Sequence, residues 1–514
     1  MICKKKLMAL VLAVICCFGV LAGCGGTNNG TNGEAEGESG EKTLTVAVSK
    51  EPASLLPYES NDTGTCPVTH QYCESLLTVD ANMELQPCLA VSWEQLDDTH
   101  YRFDLREDVT FHDGSPFTAE DVLYSLEQWA ASPASTDLLG PVDLANTTID
   151  DEHTITIALS EPYPAFLNIC SLDLMGIVSK VAMEADPEGY ANNPIGTGPF
   201  KFVEWATGDY IMMEANDDWW GGEIAFDKLM LRYIPEATTR AVEVESGGVD
   251  IANIDISSVP TIAENPDLTL VNQPILNTSY VSFNCSVAPF DNVKVRQAIS
   301  LAIDCDAIVE AIYGDYSETA KSFISPVMWG YHEADSEYMG YDPDRAKELL
   351  AEAGYADGFS CTMISNGQQS MAEMIQANLA AVGINVELNV TDFSNWLDAL
   401  VNGKQEMYIG GWTVPSGDVT EAYAAFDSTC FGSGGNRSFY ANDQADALIN
   451  TINTETDKDA RLAACQELQE LLADECVTIG LNVGYTYWGV SSNVSGFEVL
   501  STQSPNYYGV TFAE

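Results

Sequence analysis

Apolar and polar residues alternate at 101–106, with Tyr101, Phe103 and Leu105 set against Arg102, Asp104 and Arg106. A period of two predicts a strand with one buried face. Asp97-Asp98 supplies turn residues just before it, so residues 90–105 read as a hairpin. His112-Asp113-Gly114 makes a second turn, and Thr118 with Asp121 has the spacing of a capping box that opens a helix with Val122, Leu126 and Trp129 on one face. Leu44, Val46 and Val48 alternate in an opening strand over 43–49, and residues 154–159 form another strand near the hairpin.

The second half of the chain changes rhythm. Residues 359–364 are a short apolar strand, and residues 369–382 follow helical spacing through Met371, Met374, Ile375, Ala377 and Leu379, with Gly383 as terminator. An alternating strand over 384–390, a helix over 393–401 ended by Gly403, and a strand over 406–411 complete a right-handed parallel βαβαβ unit. Asp342-Pro343 caps and opens the preceding helix, which Gly354 stops. Parallel sheets bind ligands beyond the carboxyl ends of their strands. The third strand leads into Trp412-Thr413-Val414-Pro415-Ser416-Gly417-Asp418, which makes this segment the candidate site. Trp412 would supply a flat wall, Asp418 a fixed charge, and Ser416 and Gly417 close backbone approach. Asn284, ahead of Ala288-Pro289-Phe290, is a further candidate to face the cleft or to end a strand.

Lys4, Lys5 and Lys6 precede an apolar run of about fifteen residues, which is too short to span a bilayer at roughly twenty. Leu21-Ala22-Gly23-Cys24 closes it in the manner of a bacterial lipobox. Residues 1–23 therefore read as a lipoprotein signal peptide, Cys24 as the acylated residue, and the Gly-, Asn-, Thr- and Glu-rich residues 24–42 as a flexible tether. About 470 residues remain, too many for a single core. Loss of the leader removes three lysines and no acid, moving the formal charge from -56 to -59. A field of that sign opposes nucleic acid, so no nucleic-acid partner is expected; it favours solubility and would concentrate cationic solutes.

Ten cysteines lie beyond Cys24, mostly inside apolar patterns, and read mainly as small buried hydrophobes, with a bridge between Cys66 and Cys88 or Cys73 left open. Cys66, His70 and Cys73 share a helical spacing that could hold a soft metal, but the segment reads as a packing helix, so no metal or other cofactor is expected. Nucleophile elbow, phosphate loop and dinucleotide fingerprint are all missing from the sequence, so the chain does not read as an enzyme.

Trp93, Asp98, Tyr101, Phe103, Leu105, Arg106, Phe111, Asp113 and Gly114 together resemble the signature of the family 5 extracellular solute-binding proteins, the peptide and nickel receptors of ABC importers. The resemblance continues through Pro194 to Phe200, through Ala288 to Asn292 with Val295 to Ala298, and through Tyr341-Asp342-Pro343. It implies an α/β fold of the periplasmic-binding-protein type (class II, cluster C), with two lobes and an extra inserted subdomain. Lobe I would be discontinuous (43–71, 194–273 and 485–514), with the insertion at 72–193 and lobe II at 274–484. It also implies a lipid-anchored monomer on the cell surface or periplasmic side of a bacterial membrane, which captures a short peptide or other small polar solute and hands it to permease subunits. In peptide receptors of this family an aspartate three residues after such a Trp takes the ligand's amine, and here that residue is Pro415. Similarity to glutathione-receptor sequences around 422–440 implies that Asp418 takes an amine and Arg437 a carboxylate; Arg437 reads equally as a residue tying a loop. A receptor for metal chelates or other cations on the same scaffold, and a surface sensor or adhesin without transport, are the alternatives.

Overall fold

The computed structural model describes residues 41–513 apart from 61 and 63. The signal peptide, Cys24 and nearly all of the tether lie outside the described residues. Among the described residues no helix is long and apolar enough to cross a membrane.

Two long strands, Leu268–Phe283 and Thr478–Ser491, pair antiparallel at the centre of a ten-stranded sheet. One flank adds Ile251–Ile254, Thr43–Val48, Lys228–Tyr233, Tyr210–Ala215 and Phe200–Ala206 in that order. The other adds Met407–Thr413, Phe359–Asn366 and Ile384–Thr391. Met407–Thr413 and Ile384–Thr391 each run parallel to Phe359–Asn366, as the βαβαβ pattern predicts, and the helices Gln369–Ala381 and Phe393–Val401 make the crossovers. The pairing of the two long strands loses register between Pro274 and Thr278, where proline offers no N–H to the ladder. The expected boundary after residue 273 falls inside this long strand, next to that irregularity.

Apolar packing differs across the break. Leu44, Val46, Phe200, Leu229 and Trp488 share one core, whereas Val281, Phe283, Met363, Ile375 and Met407 share another. The hairpin Ala90–Asp97 with His100–Leu105 belongs to a separate four-stranded antiparallel sheet with Thr154–Ala158 and Thr148–Asp151. Its buried Tyr101 and Phe103 nevertheless join the first core, so this small sheet packs onto that half of the protein. The helix Ala119–Ala131 begins with the predicted capping box, in which Asp121 accepts from the backbone N–H of Thr118 at 3.0 Å.

The helix at Cys66–Thr69 is shorter than the spacing of Cys66, His70 and Cys73 suggested. His70 instead bonds Asp173 and Asn506, and the Cys73 thiol donates to the Ile177 carbonyl. The ten described cysteines are free thiols.

Candidate functional site

The parallel strands Thr43–Val48 and Ile251–Ile254 end beside one another on the first half of the sheet, and Met407–Thr413 ends opposite them on the second. A cavity of about 240 Å³ lies between, lined by Val48, Lys50 and Asn253 from one side and by Leu276, Thr413 and Pro415 from the other. Strand carboxyl ends from both halves thus meet at a single concavity, the position favoured for ligands in open α/β sheets.

The charged groups at this cavity come from the first half. Burial alone would raise the Asp62 carboxyl, but hydrogen bonds from Ser60, from the backbone N–H of Gly64 at 2.7 Å and from Thr65 hold it below the usual range, so it stays ionised. Asp173 accepts from the His70 ring at 2.8 Å and from the Ser504 hydroxyl. Burial would push His70 down, but the Asp173 carboxylate outweighs it and the imidazole rises to about 9. The wall supplied by Leu276, Thr413 and Pro415 carries no charge.

Of the candidate segment, Thr413 and Pro415 line this cavity, whereas Trp412, Ser416, Gly417 and Asp418 do not, nor do Arg437 and Asn284, for identifiable reasons. The strand expected over 406–411 runs to Thr413, because Asn277 and Thr278 pair with Thr413 and Trp412. Trp412 is therefore a strand residue and not a loop residue. Successive side chains face opposite sides of a strand, so Thr413 meets the cavity while Trp412 packs on Phe323, ring centroids 5.9 Å apart. Arg437 places its guanidinium 5.4 Å from the Trp412 ring and 5.9 Å from Trp396, and no carboxylate pairs with it among the described residues.

Asp418, expected as an anchor for an amine, is instead held by Arg461. The guanidinium donates to both carboxylate oxygens, one at 2.9 Å, and the two side chains are 3% and 6% exposed. Arg461 also donates to the Ile452 carbonyl and lies over the Trp329 ring at 4.3 Å. A carboxylate with its charge neutralised in this way has little left for a ligand. Ser416 and Gly417 are buried in the same turn, where the Ser416 carbonyl accepts from the Asn168 amide at 3.2 Å. Asn284, 2% exposed, ends its strand by donating to the Gly403 carbonyl at 3.2 Å and accepting from Ser286, away from the cavity.

Sequence reasoning did not single out Lys50, Asp173, Asn253 or Leu276, which also line the cavity. Val48 at the end of an alternating strand was the available signal for Lys50, because the same strand-end rule applies there.

The family model for the middle region of the bacterial extracellular solute-binding proteins, family 5, matches residues 84–434. The chain belongs to that family. It is accordingly a substrate-binding protein of the ABC-transporter type with a periplasmic-binding-protein-like fold, from a family of transport receptors rather than enzymes. The family 5 chain is 28% identical to heme-binding protein A of Haemophilus influenzae over 530 residues, covering 96% of this chain and 97% of that one. It is 29% identical to the glutathione-binding protein GsiB of Salmonella typhi over 480 residues, covering 89% and 92%. The structure of the periplasmic binding protein DppA from Helicobacter pylori in complex with the peptide STSA superposes with a TM-score of 0.75 at 26% identity, covering 92% of this chain and 99% of that one.

Proposed function

We propose that this family 5 protein captures short peptides in the cavity between Lys50 and Thr413 and delivers them to an ABC permease. The observation that carries the reading is the meeting of strand carboxyl ends from both halves of the sheet at one small concavity, with polar and charged groups on one wall and an uncharged wall facing it. The first wall orients the backbone and termini of the peptide. Leu276, Thr413 and Pro415 close over it with few demands on side chains. The peptide named in the DppA complex and the glutathione of GsiB, itself a tripeptide, support this solute class.

Capture works by closure of two lobes. The long strands bend at the irregularity between Pro274 and Thr278, and the liganded closed shape docks on the permease. Cys24 carries the lipid that keeps the receptor at the membrane. Substituting Cys24→Ser should release the protein into the soluble fraction, and retention on the membrane would remove the anchor from the account.

Mass spectrometry of small molecules freed by denaturing the purified protein tests the solute class. Short peptides are the expected cargo; recovery of a heme or a nickel chelate in their place would overturn the peptide reading.

A further inference from the structure

A second and larger cavity, of about 820 Å³, lies on the far side of the Pro415 to Asp418 turn. Pro415 lines the first cavity and Asp418 the second, so the turn between them is a wall with a space on each face. Two contacts from the insertion seal the wall. The Asn168 amide donates to the Ser416 carbonyl at 3.2 Å. Met83 rests against Gly417, since a β-carbon there would lie 2.6 Å from the Met83 methyl and 3.6 Å from Leu276, which lines the first cavity.

The seal is built at a conformational cost. Gly417 has φ +69°, open to glycine and costly for other residues. Met83 itself has φ +61°, uncommon for a side chain of its size. It is held there by a turn in which the Asp80 carboxylate accepts from the backbone N–H groups of Asn82 and Glu84 at 2.8 and 3.1 Å. Such a turn places the Met83 side chain where only a glycine leaves room.

The chemistry of the second cavity suits more of the same ligand. Tyr101, Leu167, Met328 and Trp329 give it apolar walls. Lys458 adds an ammonium with no ion-pair partner among the described residues, whereas the Arg461 charge is committed to Asp418. Across its outer rim the Thr456 hydroxyl donates to Asp98 of the hairpin at 3.0 Å.

We propose that Met83 and Asn168, pressed on the Ser416–Gly417 turn, form a length gate: the closed gate confines a peptide to the inner cavity, and without it the two cavities join and admit longer peptides with apolar residues and a carboxylate at Lys458. The proposal rests on the peptide reading. Specificity here comes from a steric barrier against longer solutes rather than from added contacts to short ones.

The test is native mass spectrometry of the full protein after incubation with equimolar random dipeptide and random hexapeptide mixtures. Wild type should retain dipeptides at least about tenfold over hexapeptides, a difference of about 1.4 kcal/mol. In Met83→Ala/Asn168→Ala the ratio should fall toward one with dipeptide occupancy maintained, and a further Lys458→Glu should lower hexapeptide occupancy alone. Should the double variant fold poorly, Asn168→Ala by itself removes one seal contact and should move the ratio the same way. Bound dipeptides with an unmoved ratio, or hexapeptides preferred by wild type, would overturn the gate and leave the peptide reading intact. Retention of neither mixture by wild type would overturn the peptide reading, and the gate with it.

Discussion

Arg461 donates to both carboxylate oxygens of Asp418 from a helix 43 residues further along the chain. Both groups are buried, and Thr420 donates its backbone N–H and hydroxyl to the same carboxylate at 2.9 and 2.8 Å. The pair fixes the Asp418 end of the turn, while Ser416 and Gly417 rest on Asn168 and Met83, so its role is in structure.

Removing one member leaves the other buried and uncompensated. Arg461→Met is expected to destabilise the protein by about 3–5 kcal/mol, with part of the loss recovered in Arg461→Met/Asp418→Leu. Urea unfolding of the three proteins measures this; a stable Arg461→Met with weakened solute binding would return the pair to the ligand.

His70 provides a pH signature. Its folded value of about 9 stands above the roughly 6.5 of an unfolded imidazole, so the stability it contributes is complete below about 6.5 and is lost as the pH rises through about 9. Partial exposure of the pair, 20% and 16%, limits the effect to about 2 kcal/mol. Unfolding followed from pH 6 to 10 should show this loss in wild type and a flatter profile in His70→Gln. Identical profiles would refute it.

The glycine at 196 is required by its neighbour. A β-carbon there would sit 1.7 Å from the Tyr72 carbonyl oxygen, a backbone atom that also accepts from the Gly198 N–H at 3.1 Å. Gly196→Ala should therefore cost about 3 kcal/mol or more. An unchanged urea midpoint would mean that the two segments separate without penalty.

Thr413 provides a direct test of the cavity. Thr413→Trp should fill it, weakening retention of co-purifying solute by at least about tenfold while leaving the melting temperature of the solute-free protein within about 2 °C. Retained solute at wild-type level would place the binding site elsewhere.

The cavity-facing role passed from Trp412 to Thr413 for a reason outside local sequence. Periodicity over 359–411 was enough to read the parallel unit and both of its helices, since each segment carries its own apolar repeat and each helix its own glycine stop. The end of the last strand depends on a partner more than a hundred residues earlier, because pairing of Thr278 with Trp412 extends it past Gly411. Once the strand runs to Thr413, side-chain alternation turns the Trp inward.

The sequence by itself determined the α/β class, the hairpin at 90–105, the capped helix that follows it and the family, all of which depend on spacing between near neighbours. Only the tertiary structure decided which residues face the cavity, that Asp418 spends its charge on Arg461, and that Met83 meets Gly417. The physical reason is that charge pairing, burial and close packing depend on distance through space. Groups that chain order keeps far apart become partners only after the chain has folded.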